Sequence, residues 1–97
     1  MPVEIDAVGN EIHRNFQNQI HNLEGPATIS RYKNGKISCE SWFKNDLCHR
    51  EDGPAVTVFD YDSNGRKFII YEGYYLNGKP MTAQDHRDAW DFSNNNV

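Results

Sequence analysis

Three histidine–arginine pairs, His13-Arg14, His49-Arg50 and His86-Arg87, are the side chains best suited to polar chemistry. An imidazole beside a guanidinium can bind a carboxylate or another anion. The plainer use is a histidine packed on an aromatic ring, with its arginine paired to a neighbouring acid. Cys39, Cys48 and His49 bring sulfur and nitrogen together. Zinc sites, however, are built from ligand pairs at short fixed spacings, and Cys-x8-Cys-His is no such pair. Two half-buried thiols, no disulfide and no metal site are expected. Carboxylates are plentiful (Glu51, Asp52, Asp60, Asp62, Glu72, Asp85, Asp88, Asp91), yet none stands at a recognisable spacing from a nucleophile and a base. Glycine-rich phosphate loops and G-x-S-x-G elbows do not occur. The expectation is a chain without catalytic residues, metal or cofactor.

Composition narrows the remaining classes. With 97 residues and 37% hydrophobic content, one domain with a thin core is expected. A formal charge of −4 argues against the basic stripe that nucleic acid requires. No apolar run approaches the ~20 residues that span a bilayer. The opening MPVEIDAVGN lacks the basic and apolar regions of a secretory signal, so a cytosolic location is expected.

Positioning falls to an internal repeat. H-x-x-[ED]-G-P-A occurs at residues 21–27 (HNLEGPA) and 49–55 (HREDGPA), an offset of 28 residues. Strand-like runs and turn pairs follow each copy: Asn34-Gly35 and Asn45-Asp46, then Asn64-Gly65 and Asn77-Gly78. Asn-Gly between apolar runs marks a hairpin, because a tight turn needs positive φ at its centre. Two-residue turns at Asn34-Gly35 and Asn64-Gly65 would place Ala27 opposite Trp42, Ile29 opposite Glu40, Ala55 opposite Tyr74 and Thr57 opposite Glu72. From Ala27 to Trp42 is 15 residues and from Ala55 to Tyr74 is 19. Two extra residues per arm preserve which face each side chain occupies, since strand periodicity is 2. A turn at Asn45-Asp46 would set Trp42 against His49 and Phe43 against Cys48.

Strands are therefore predicted at 4–8, 11–14, 27–33, 36–44, 47–50, 55–62 and 67–76. A short helix is predicted at 83–91, capped by Thr82 with Asp85 three residues on, and its Trp90 and Phe92 could dock on the sheet. In 11–20, Ile12, Phe16 and Ile20 have helical spacing, but the asparagine content and the adjoining Gly9-Asn10 turn favour strand and loop. The fold class is mostly β, an antiparallel meander of hairpin repeats (clear copies at 21–48 and 49–80) with a short C-terminal helix. One domain over 1–92 and a disordered tail at 93–97 complete the division.

The run HREDGPAVTVFDYDSNGRKFIIYEGYYLNGKP resembles the variant MORN-like "HRxDGPA" β-hairpin repeats, common in proteins of bacteriophages and large DNA viruses. The resemblance covers roughly residues 21–80 and is looser in the first copy, where Asn22 stands for arginine. It implies an open antiparallel sheet acting as an interaction scaffold, and carries no catalytic residues over.

Aromatics make 12% of the chain. Alternation along 67–76 predicts Phe68, Ile70, Tyr74 and Leu76 on one face, and Ile69, Tyr71 and Tyr75 on the other. So short a chain cannot cover both faces, which leaves an interaction patch. The candidate binding residues are Trp42, His49, Arg50, Tyr71, Tyr74 and Tyr75. The expected function is a non-enzymatic protein-binding module, a small phage-type inhibitor of a host defence protein in the host cytoplasm. The alternatives are a small-molecule or nucleotide-binding, sponge-like module and a structural homo-oligomer, and the expected partner is a host protein or a second copy.

Overall fold

The structure, a computed structural model, describes residues 3–95, with side chains as far as residue 89. Its strands are β1 (Val3–Ile5), β2 (Glu11–His13), β3 (Thr28–Arg31), β4 (Ile37–Ser41), β5 (Phe43–Lys44), β6 (Leu47–Cys48), β7 (Val56–Tyr61), β8 (Lys67–Leu76) and β9 (Lys79–Met81), followed by helix α1 (Ala83–Asn95). Seven strands form one antiparallel sheet in the order β1-β2-β3-β4-β7-β8-β9, and β5 and β6 make a small separate hairpin. The meander fold with a C-terminal helix is thus the observed one. None of its described helices is long and apolar enough to cross a membrane.

Turn chemistry explains the meander. Asn45-Asp46 (φ 51° and 70°) and Asn77-Gly78 (φ 51° and 82°) are two-residue turns with both central residues left-handed. Asn34-Gly35 and Asn64-Gly65 differ from expectation. Each belongs to a three-residue loop closed by the pairs Tyr32–Lys36 and Asp62–Arg66, with only the glycine left-handed (φ 88° and 80°). The same loop recurs at 6–10, where Gly9 has φ 100°, and at 15–19, where Asn18 takes the left-handed place at φ 64°. Asp6, Asn15 and Asp62 open three of these loops, and the Oδ1 of each accepts two or more backbone N–H groups at 2.9–3.0 Å. Residues 11–20 therefore form strand and loop, as the asparagines favour.

A three-residue loop alone would slip every cross-strand pair by one. A β-bulge in each hairpin restores the predicted pairing. It falls between Ser30/Arg31 in the first and Val58/Phe59 in the second, the same 28-residue offset as the sequence motif. Beyond the bulges Ile29 faces Glu40 and Thr57 faces Glu72. The ladders then stop at Thr28↔Ser41 and Val56↔Gly73. The expected Ala27–Trp42 and Ala55–Tyr74 pairs are thus no ladder pairs: the alanine N–H groups bond the carbonyls of Ser41 and Gly73, both at 2.8 Å.

Burial is sparse and centres on the motif alanines and the strand that follows the second of them. Ala27 and Ala55 are 0% exposed and Phe59 7%. The molecule measures 46 × 36 × 18 Å, too thin for a sheet fully covered on both faces. Thr82 Oγ1 accepts the Asp85 N–H at 3.0 Å, capping α1 as predicted. The helix runs to Asn95, past its predicted end and through 93–95 of the expected disordered tail. The docking expected of Trp90 and Phe92, and the rest of that tail, lie outside the described side chains and residues.

Two expected outcomes follow from the loops. Backbone N–H groups, first those of Asn10 and Arg66, hold the Asp6 and Asp62 carboxyls below their ordinary value. A carboxyl depressed in the folded state adds stability above its unfolded pKa and loses it as pH falls through the folded one. Asp6→Asn/Asp62→Asn keeps the acceptors, as Asn15 does, without titrating. Acid titration followed by circular dichroism should show the wild type losing stability below pH ~4 more steeply than the double variant. Gly65→Ala, whose Cβ would meet only Lys36 Nζ at 3.4 Å, tests backbone strain alone. It should cost about 1 kcal/mol, a Tm drop of about 5 °C.

Candidate functional site

Residues 67–76 form a strand because they are rich in β-branched and aromatic residues and lack proline. Over Tyr74, Tyr75 and Leu76 this strand has β9 on one side, and on the other the Arg50 N–H of the motif loop donates to the Tyr75 carbonyl at 3.2 Å. Over 67–73 only β7 accompanies it, because β9 pairs no further than Tyr74. Among the described residues, the groups of 67–73 that point away from β7 have no strand partner. Here Phe68, Ile69, Ile70 and Tyr71 are 46%, 52%, 53% and 52% exposed. Phe16, at 91%, is the most exposed of the other large apolar side chains, on the 15–19 loop. Four in succession on an open strand edge form the largest such run, and open apolar edges are templates for pairing.

The bulge re-sorts these side chains. Thr57, Phe59 and Tyr61 alternate on one face of β7 and stand opposite Glu72, Ile69 and Lys67. Val58 and Asp60 stand opposite Tyr71 and Phe68. Ile70 is the extra residue. Phe68 thus shares its face with Tyr71, and Ile69 with Glu72, the reverse of the simple alternation. Tyr71 and Tyr75 lean over Gly73: a Cβ there would meet Tyr71 Oη at 2.9 Å and Tyr75 Cε1 at 3.1 Å. Phe68, Tyr71 and Tyr75 make one aromatic face.

The remaining candidates form a different group. Trp42 sits at the β4–β5 junction, on the side of Glu40 and Glu72 by strand alternation. It therefore does not join Tyr71 and Tyr75. Arg50 lies over its ring, Cζ 4.0 Å from the centroid, while Nε donates to Asp52 Oδ1 at 2.9 Å and Nη1 to the Pro54 carbonyl at 3.2 Å. Asn22 donates to the Pro26 carbonyl at 3.2 Å, which is how it replaces arginine in the first copy. The predicted pairing around Asn45-Asp46 holds, with Phe43 opposite Cys48 and the His49 N–H on the Trp42 carbonyl at 2.9 Å. His49 Nδ1 accepts the Asn77 N–H at 2.9 Å, and His21 Nδ1 the Asn45 N–H at 3.0 Å. Each motif histidine thus caps the two-residue turn that follows its hairpin. Tyr74 packs on His86, ring centroids 5.2 Å apart, and His86 is buried at 3% exposure against the Arg50 carbonyl.

An open groove of 540 Å³ runs between the two motif loops, from Asn22 past Trp42 to Asp52. Arg50 already covers the Trp42 ring, and the lining sets Glu24, Glu51 and Asp52 against Lys44 and Arg50. Cys39 and Cys48 are free and half-buried, and burial, with Cys39 beside it, raises the Cys48 pKa and suppresses thiolate chemistry.

Sequence reasoning placed Phe68, Ile69 and Ile70 on the faces of this strand but not among the candidate binding residues. Their signal was the greater length of the second hairpin, whose extra residues carry β7 and β8 past the end of β4, which pairs β7 only as far as Val58. No protein-family model, curated protein or solved structure matches the chain.

His49→Ala deletes an acceptor without touching the exposed strand. It should cost about 1–2 kcal/mol and speed exchange of the Asn77 amide hydrogen by at least about tenfold, read by NMR.

Proposed function

We propose that this chain is a non-enzymatic protein-binding module whose docking surface is the aromatic face of Phe68, Tyr71 and Tyr75. The observation that carries it is the exposed run Phe68–Ile69–Ile70–Tyr71, 46–53% accessible on a strand half left open. Tyrosine and phenylalanine held on a strand offer large contact area at low entropic cost, and such residues dominate binding energy at interfaces. The polar groups that could serve catalysis are instead committed to turns, carbonyls and each other: His21 and His49 to turn N–H groups, Arg50 to Asp52 and Pro54. The Trp42 ring, which a base would stack on, is already covered by Arg50, and that favours this reading over a nucleotide-binding one. Its resemblance to the phage and large-virus hairpin repeats supports the narrower role of a small inhibitor of a host protein in the cytoplasm.

Photo-crosslinking tests the surface. Benzoylphenylalanine replaces Tyr71 or Tyr75, and in a control Lys33, in the chain expressed in its native cell. Adducts to a different protein from positions 71 and 75, and none from 33, are expected. Adducts from all three positions alike, or only adducts of twice the chain's mass, would refute the assignment.

A further inference from the structure

The open segment of β8 reads Lys67-Phe68-Ile69-Ile70-Tyr71-Glu72, nearly symmetric about its centre, with opposite charges at its ends. We propose that this edge pairs antiparallel with the same edge of a second copy, in the register that sets Lys67 against Glu72, Phe68 against Tyr71 and Ile69 against Ile70. The proposal rests on the exposed strand of the previous section but concerns its backbone edge rather than its aromatic face.

Two independent observations select the same register. The first is charge. A two-fold axis between Ile69 and Ile70 forms the Lys67–Glu72 pair twice, whereas a shift of one residue sets Lys67 opposite Gly73 or Tyr71. The second is the bulge. In an antiparallel pair, residues directly opposite lie on one face of the sheet. In a regular strand Lys67 and Glu72, five residues apart, lie on opposite faces and could not meet. Here the extra Ile70 puts both on the face of Thr57 and Tyr61, and puts Phe68 and Tyr71 together on the other. Registers shifted by one residue would set Phe68 against Glu72, or Lys67 against Tyr71, across opposite faces. A bulge ordinarily protects an edge by breaking its register. In this chain it makes the edge self-complementary.

The ends of the open segment fit the same arrangement. It is bounded by β9, which begins pairing at Tyr74, and by the loop closed by Asp62 and Arg66. Six paired residues would place the partner copy's loop just short of β9. Both aromatic faces then lie on the same side of a continuous sheet, with each Phe68 beside the other copy's Tyr71.

Charge exchange tests this directly. Lys67 and Glu72 are both exposed, and Lys67 Nζ also lies 4.6 Å from the centroid of the Phe59 ring, a contact within the monomer that K67E removes. Sedimentation equilibrium of the full chain is measured across micromolar to millimolar concentration for wild type, K67E, E72K and K67E/E72K, with circular dichroism confirming the fold. Wild type should self-associate to a dimer. Each single variant places like charges together twice and should weaken the dimer about tenfold or more. The double variant should restore it to within about threefold of wild type, and either single variant serves if the other misfolds. A wild type monomeric throughout, singles that associate normally, or a double variant no better than the singles would each overturn the pairing. Heterologous cross-links at Tyr71 and Tyr75 together with a monomeric wild type would leave the binding face standing and remove only the dimer.

Discussion

Two alanines hold the sheet together. Among the described residues Ala27 and Ala55 are the apolar side chains at 0% exposure, and each shares its backbone between two neighbours. The N–H groups bond Ser41 and Gly73, while their carbonyls accept from His13 and Trp42, at 2.8 and 2.6 Å. At 0% exposure neither site has room for a larger side chain without local displacement, and proline before each alanine leaves no competing donor. This stitching fixes where one hairpin joins the next, and repeats 28 residues apart. Everything outward of it, from bulges to loop tips, is built on that join.

A thin slab follows from the same constraint. The motif loops, the β5–β6 hairpin and α1 cover one end of the sheet, and the hairpin arms extend beyond them. Across the sheet Glu11, Ile29, Glu40, Thr57 and Glu72 form one row of cross-strand neighbours, carboxylates alternating with β-branched residues. Such a row suits a half-solvated face rather than a core. The longer second hairpin carries apolar residues past any cover, so its exposure is a product of chain length, not of local composition.

Much of this was legible. Motif spacing and turn residues sufficed for the fold class, the Ile29–Glu40 and Thr57–Glu72 pairs, the Phe43–Cys48 pair and the Thr82 cap. Asn-Gly, however, serves both a two-residue turn and the end of a three-residue loop, and no side chain announces the bulge that compensates. That ambiguity left the register correct while reversing the faces assigned to Phe68 and Ile69. The candidate site was legible only in part. Tyr71 and Tyr75 share a face, but Trp42, His49 and Arg50 belong to the motif loops, where histidine caps a turn and arginine covers a ring. The open edge depends on where β9 starts and β4 stops, which residue types do not state.

Amide hydrogen exchange along β8, read by NMR at low and high protein concentration, tests the central claim most directly. An open, pairing edge requires that alternate amides between Lys67 and Gly73, those not bonded to β7, exchange freely in dilute solution and become protected as concentration rises. Uniform protection of 67–73 at every dilution would mean that the edge is already covered within one chain, and would contradict the account.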